Sequence, residues 1–136
     1  MRITIKNSKG IRELIVKVQY SLTETKEAFG KDEYGRDVRY TWTEKVTTVK
    51  CHEYDPAGIP TSKTVFVGNA ICDYHDKKRF SKKKGRSIAW TNCLAEMLDK
   101  DFVTKEEALA LLIVGTSCTS AELDMTGNEI KITRKI

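Results

Sequence analysis

Residues 14–22 read LIVKVQYSL, and apolar and polar side chains alternate along this stretch. Successive side chains of a β-strand point to opposite faces, whereas an α-helix repeats about every 3.6 residues. Period two therefore predicts a half-buried strand. Its apolar face consists of Leu14, Val16, Val18, Tyr20 and Leu22.

Further strands are predicted on both sides of this stretch. Residues 2–5 alternate weakly and predict an edge strand, and alternation over 129–134 predicts a final short strand. Residues 23–37 are polar and contain two glycines, which indicates a long, mobile hairpin connection. Residues 38–72 are rich in β-branched and aromatic residues and predict an antiparallel meander.

Two helices follow the predicted meander. Ser81 is a suitable N-cap for the first, whose apolar residues recur at helical spacing to about Lys100. The second begins at Thr104 with the pattern of a capping box, and Gly115 can end it. Strands followed by helices indicate an α+β fold. We expect one domain over 1–136, in which a mostly antiparallel sheet (a β-meander) carries two helices packed on one face.

The composition and the apolar runs of the sequence indicate where in the cell the protein is expected. No stretch reaches the ~20 apolar residues that a membrane span needs, and the first residues form no secretory signal. We therefore expect a cytoplasmic protein with no membrane partner. The four cysteines form no Cys-x-x-Cys pair, although the two histidines lie near Cys51 and Cys72. We expect reduced thiols, no bound metal and no cofactor.

Positive charge is concentrated in one block of the chain. The net charge is +5, yet residues 77–86 alone carry seven cations and no acid. The block leads into the first predicted helix, whose N-terminus offers free backbone N–H groups and the positive end of the dipole. Anions bind at such ends. The pattern predicts a phosphate site that includes Arg79, Lys84 and Arg86; a solvated lysine-rich face is the plainer alternative.

Planar and polar side chains accompany the basic block. Tyr74 and Phe80 suit stacking on a nucleobase beside the cations. Asp76 can accept hydrogen bonds from ribose hydroxyls, and Asn92 offers an amide two turns into the helix. The predicted ligand is therefore a nucleotide. In the plainer alternative, Phe80 packs as a hydrophobic staple for the helix.

The residues around the block resemble a pattern in small phage-encoded proteins: Gly68-x-Ala70-x-Cys72, then Asp76, Phe80, Lys82 and Gly85-Arg86-x-x-Ala89. The family is the anti-Thoeris sponges, which bind and sequester cyclic ADP-ribose isomers, and the likeness spans about residues 46–98. It implies a phage anti-defence protein of the host cytoplasm, a homodimer or higher homo-oligomer that holds a cyclic nucleotide between protomers without turnover. It also implies ligand contacts from Phe80, Arg86 and Asn92, the last in place of an expected basic residue.

Three other functions are compatible with the sequence. The clustered cations suit the backbone of DNA or RNA, although no known recognition motif occurs. The same block could instead inhibit a host enzyme. For catalysis, Cys72 with His75 is the best nucleophile candidate, but no third orienting group accompanies the pair. We therefore expect no enzymatic activity and assign no catalytic residue.

Overall fold

The computed structural model describes residues 1–22, 26–42, 44–54, 64–72 and 81–136. Its first six strands are β1 (Arg2–Asn7), β2 (Gly10–Leu22), β3 (Lys26–Lys31), β4 (Asp37–Trp42), β5 (Lys45–Tyr54) and β6 (Phe66–Cys72). After them come α1 (Lys82–Asp99), α2 (Lys105–Val114), β7 (Ser120–Asp124) and β8 (Lys131–Lys135). None of the described helices is long and apolar enough to cross a bilayer.

Six of these strands form one sheet in the order β6-β5-β2-β1-β7-β8. Every pair is antiparallel except β1 with β7, which is parallel. The predicted α+β fold with a mostly antiparallel sheet is confirmed, as is the final short strand. The prediction of an edge strand over 2–5 is wrong, because β1 lies between β2 and β7. Ile3 and Ile5 are fully buried there.

The other two described strands, β3 and β4, form a separate ribbon. The sequence predicts a hairpin connection over 23–37, but part of that segment is β3, which pairs with β4. The predicted meander over 38–72 is correct for β5 and β6, which pair antiparallel, and wrong for β4, which pairs with β3 instead of the main sheet.

The polar composition of the ribbon explains why the sequence does not reveal β3. Ion pairs join its strands, with Lys31 Nζ 3.1 Å from Asp37 Oδ1 and Arg39 Nη1 3.4 Å from Glu27 Oε1. Phe29 is 79% exposed. A ribbon that covers no core needs no apolar face, so the alternation that marks a half-buried strand is missing.

Both helices begin where the sequence predicts. The Ser81 hydroxyl accepts a hydrogen bond from the Lys84 N–H at 3.3 Å. At α2 the capping box is complete, because Thr104 Oγ1 accepts from the Glu107 N–H at 3.2 Å and Glu107 Oε1 accepts from the Thr104 N–H at 2.9 Å. Gly115 follows α2 with φ 69°, the left-handed conformation that glycine adopts readily.

The helices cover the face of the main sheet that carries the core. α1 lies against β5 and β6, and α2 contacts α1 and β8. Trp90 is 1% exposed and donates its indole N–H to the Leu111 carbonyl oxygen at 2.9 Å, which joins the two helices. Five strands of the sheet, β1, β2, β5, β6 and β7, contribute buried apolar side chains to this core, and the most deeply buried of these side chains are Ile3, Ile5, Leu14, Val16, Val49, Cys51 and Leu123.

α1 crosses β6 at very short range, and Gly68 is the point of crossing. A Cβ at this position would overlap the Ala89 carbonyl oxygen and the Cys93 amide nitrogen, and it would lie 2.9 Å from Cys93 Cβ. Ala89 and Cys93 are fully buried. The close approach fixes α1 on the edge strand of the sheet and so fixes the position of its first turn.

Candidate functional site

The first turn of α1 carries positive charge and no acid. Lys82, Lys83 and Lys84 follow the N-cap directly and are exposed, and Arg86 lies one turn after Lys82 and is half-buried. Backbone N–H groups in the first turn of a helix have no intrahelical partner. Side-chain cations and backbone donors therefore occur together at this end of α1.

No acid neutralises these cations within the ranges that the structure describes. None of the ion pairs found there includes Lys82, Lys83, Lys84 or Arg86. α2 has the opposite arrangement, with two glutamates in its first turn. Cations oppose the dipole at a helix N-terminus, and like charges four residues apart repel. The arrangement costs stability in the free protein, and a bound anion would offset that cost.

The sheet supplies an aromatic ring beside this turn. Lys82 Nζ lies 5.0 Å from the ring centroid of Tyr20, which is 40% exposed near the end of β2. Thr47 pairs with Tyr20 in the neighbouring strand and is fully buried. Its Oγ1 has no hydrogen-bond partner in the described part of the chain. A buried hydroxyl without a partner is uncommon because losing its hydration costs free energy.

Asn92 lies away from this first turn. Its amide nitrogen donates to the Asn69 carbonyl oxygen at 2.8 Å, and this bond ties α1 to β6. Six residues of helix separate Asn92 from Arg86, which corresponds to about 9 Å along the axis. The structure therefore gives Asn92 a role in holding the helix on the edge strand.

The predicted site residues divide into two groups. Lys84 and Arg86 belong to the first two turns of α1, where the structure brings cations together, and Asn92 lies further along the same helix. The rest, namely Tyr74, Asp76, Arg79 and Phe80, fall outside the described residues, and so does His75. The described site has two contributors outside the predicted set of ligand contacts, Tyr20 and Thr47. The alternation over 14–22 includes Tyr20, whereas no sequence pattern indicates Thr47.

Several residues of the phage-like motif have structural roles. Gly68 and Ala89 face one another at the crossing of β6 and α1. Ala70 and Gly85 are also buried, and the Gly85 N–H donates to the Ser81 carbonyl oxygen at 2.9 Å. Close helix–strand packing therefore explains Gly68 and Ala89 of the motif, and it does not explain Lys82 or Arg86.

Two of the described thiols, those of Cys51 and Cys93, are unsuited to nucleophilic attack. Cys51 and His52 are neighbours in β5 and so point to opposite faces of the sheet. Burial raises the pKa of the Cys93 thiol to about 12 and that of Cys51 further, so both stay protonated near neutral pH. Among the described residues no group of three His, Cys, Asp or Glu side chains could hold a metal ion.

In comparisons with protein-family models, curated proteins and solved structures, no match to the chain was found.

Proposed function

We propose that the protein binds a small phosphate-bearing nucleotide at the start of α1 and sequesters it without chemical turnover. The observation that carries the proposal is the set of cations in the first two turns of α1, Lys82, Lys83, Lys84 and Arg86, with no acid paired to them in the described residues. Such a set is stabilised when an anion occupies the helix N-terminus.

The neighbouring groups favour a nucleotide over a bare phosphate ion. Tyr20 offers a partly exposed ring within reach of Lys82, and a ring beside a cation suits a nucleobase with its phosphates. The Thr47 hydroxyl lacks a partner next to that ring. Phe80 and Tyr74 precede the helix in sequence and are proposed as further stacking groups, with Asp76 as an acceptor for ribose hydroxyls.

The resemblance to anti-Thoeris sponges supports a more specific ligand, a cyclic ADP-ribose isomer or related cyclic nucleotide. In that reading the protein acts in the host cytoplasm and removes an immune signal by mass action. Tight binding then takes the place of catalysis.

Calorimetric titration with cyclic ADP-ribose, with linear ADP-ribose as its counterpart, tests this proposal. We expect a dissociation constant of about 1 μM or below for the cyclic compound. The bound compound should be recovered intact by mass spectrometry after the protein is denatured by heat. Recovery as linear ADP-ribose would show turnover, and absence of binding to both compounds would remove the nucleotide from the proposal.

Charge reversal in α1 should lower the affinity for the nucleotide and, at Lys82, raise the stability of the free protein. Lys82→Glu and Arg86→Glu should each weaken nucleotide binding at least about 10-fold, because each removes a charge-assisted contact to phosphate. Without ligand, Lys82→Glu should raise the melting temperature slightly, since an acid there complements the helix dipole. Titration calorimetry and thermal denaturation followed by circular dichroism measure the two effects.

Lys105→Glu is the matched control, because Lys105 is an exposed lysine in the first turn of α2. It makes the same change of charge and should alter nucleotide affinity less than about twofold. A similar loss of affinity for Lys105→Glu and Lys82→Glu would mean that net charge, not the start of α1, determines binding. Salt-sensitive binding of random single-stranded oligonucleotides, without capture of nucleotides, would favour a nucleic-acid protein.

The proposal includes a homo-oligomer. On α2, Leu109, Leu112 and Ile113 are 56%, 45% and 66% exposed, and their spacing places them on one side of the helix. Contiguous apolar patches on soluble proteins often mark interfaces. We expect Ile113→Asp to convert a dimer or larger assembly to a monomer in sedimentation experiments, while Ile11→Asp, at an equally exposed position on β2, leaves the assembly intact. A wild-type monomer would contradict this part of the proposal.

A further inference from the structure

A groove of about 690 Å³ lies where the β1–β2 turn meets the start of α2. Its walls come from residues 7–12, from the α1–α2 connection, from the first turn of α2 and from Met125. None of the residues assigned to the nucleotide site lines it. The groove is therefore a separate feature of the surface.

Glu107 lines this groove and has a buried carboxylate oxygen that lacks a hydrogen-bond donor among the described residues. Glu107 is only 4% exposed, and its Oε1 accepts the Thr104 N–H at 2.9 Å. Its Oε2 is buried and has no hydrogen-bond partner among the described residues. The ion-pair partner of Oε2 is Arg12, whose Nη1 lies 3.7 Å away, beyond hydrogen-bond length. Buried carboxylate oxygens are normally satisfied, because an unmet one costs free energy.

Arg12 is held by other groups. Its Nε donates to Glu53 Oε1 at 2.9 Å, and its Nη1 donates to the Phe102 carbonyl oxygen at 2.9 Å. Its guanidinium also lies 4.7 Å from the centroid of the Phe102 ring. Arg12 cannot approach Glu107 more closely without giving up these contacts, and Glu53 already offsets its charge. None of the described residues therefore donates to Oε2, and a bound molecule could supply the missing donor.

The apolar surface and the charges that line the groove indicate what kind of molecule could supply this donor. Ile11 is 64% exposed, and Phe102 and Met125 are half-buried, so part of the lining is apolar. The lining has three acidic residues, Asp101, Glu106 and Glu107, and two basic residues, Lys9 and Arg12, so its charge is slightly negative. A cation with an apolar body would match both this charge and the apolar part of the lining.

We propose that this groove binds a small organic cation, an amine or amidine with an apolar body, whose N–H groups donate to Glu107 Oε2. The apolar body lies against Ile11 and Met125. The site is distinct from the start of α1, so the two ligands bind independently.

Titration of the ¹⁵N-labelled protein with benzamidine tests this proposal by nuclear magnetic resonance. We expect saturable shifts of the backbone amides of residues 7–12 and 104–107, with a dissociation constant on the order of 1 mM. Benzamide, which is neutral and similar in shape, should cause no saturable shift there. Shifts confined to other residues, or equal responses to benzamide and benzamidine, would overturn the proposal.

Glu107→Gln is the decisive variant, because glutamine at this position can keep the capping box while the charge is lost. It should weaken benzamidine binding at least 10-fold, and its amide spectrum should stay that of a folded protein. Lys82→Glu serves as the second variant: it should leave benzamidine binding unchanged although it weakens nucleotide binding. Unchanged binding by folded Glu107→Gln, or only an ordered water on Oε2 in a crystal grown with benzamidine, would contradict the proposal.

Discussion

Gly68→Ala should destabilise the protein by roughly 3 kcal/mol or more, although it adds a single methyl group. The backbone at Gly68 is not in the left-handed region, so alanine meets no conformational strain. Alanine in place of glycine would by itself stabilise by about 0.4–1 kcal/mol through the unfolded state. The methyl group, however, would overlap backbone atoms of Ala89 and Cys93, which cannot rotate away as a flexible side chain can. Overpacking against fixed backbone outweighs the entropic gain.

Urea denaturation and thermal melting measure this effect. At this chain length a loss of 3 kcal/mol corresponds to a fall in melting temperature of roughly 10 °C. Gly127→Ala is the control, because nothing lies within 4 Å of a Cβ at Gly127, and it should change stability by less than about 0.5 kcal/mol. Equal stability of Gly68→Ala and the wild type would mean that α1 does not cross β6 as closely as described.

Trp90→Ala should cost about 3–5 kcal/mol, the range for removing a large aromatic side chain from a packed core. Trp90 is 1% exposed, lies between the sheet and α2, and bonds to the Leu111 carbonyl oxygen at 2.9 Å. Trp90→Phe should cost less. The Leu111 carbonyl oxygen also accepts the Gly115 N–H at 3.1 Å, so it keeps a partner when the indole is lost.

Equilibrium unfolding of both Trp90 variants checks the expected order. Ile88→Ala is the matched control in the same helix, because Ile88 is 44% exposed, and it should cost less than about 1 kcal/mol. If Trp90→Phe proved as costly as Trp90→Ala, the hydrogen bond to α2 would matter more than the packing of the ring, contrary to this account.

The spacing of apolar residues in the sequence predicted β2 and the two helices, which enclose the core. The stretch LIVKVQYSL alternates because β2 presents one face to the helices, and both helix starts follow from their caps. β1 was misplaced at an edge because its neighbour β7 comes from the far end of the described chain, and no local pattern reveals such a pair. β3 was missed because it carries no buried apolar face: Glu27, Phe29 and Lys31 are exposed and alternate with the small residues Ala28 and Gly30, so the composition resembles that of a loop.

The sequence could predict only those residues of the candidate site that lie close together along the chain. The cations of α1 and their place at a helix N-terminus follow from the residue order. Tyr20 and Thr47 come from two other strands, β2 and β5. They are opposite each other only in the observed register of these strands, which no local pattern reveals. Likewise the capping box predicts the hydrogen bond accepted by Glu107 Oε1, whereas the position of Oε2 beside Arg12 of β2 depends on the tertiary fold.

The parallel pair of β1 and β7 has a consequence for the order of folding. It joins Arg2 to Ser120, positions about 118 residues apart. Closing so large a loop is entropically expensive, and contacts of long sequence separation slow the folding of small proteins. Refolding should therefore take milliseconds to seconds, and β1 gains its second neighbour only after both helices and β7 have been synthesised. Until then one edge of β1, which carries the core residues Ile3 and Ile5, has no strand partner and is exposed to chaperones or to mispairing with another strand.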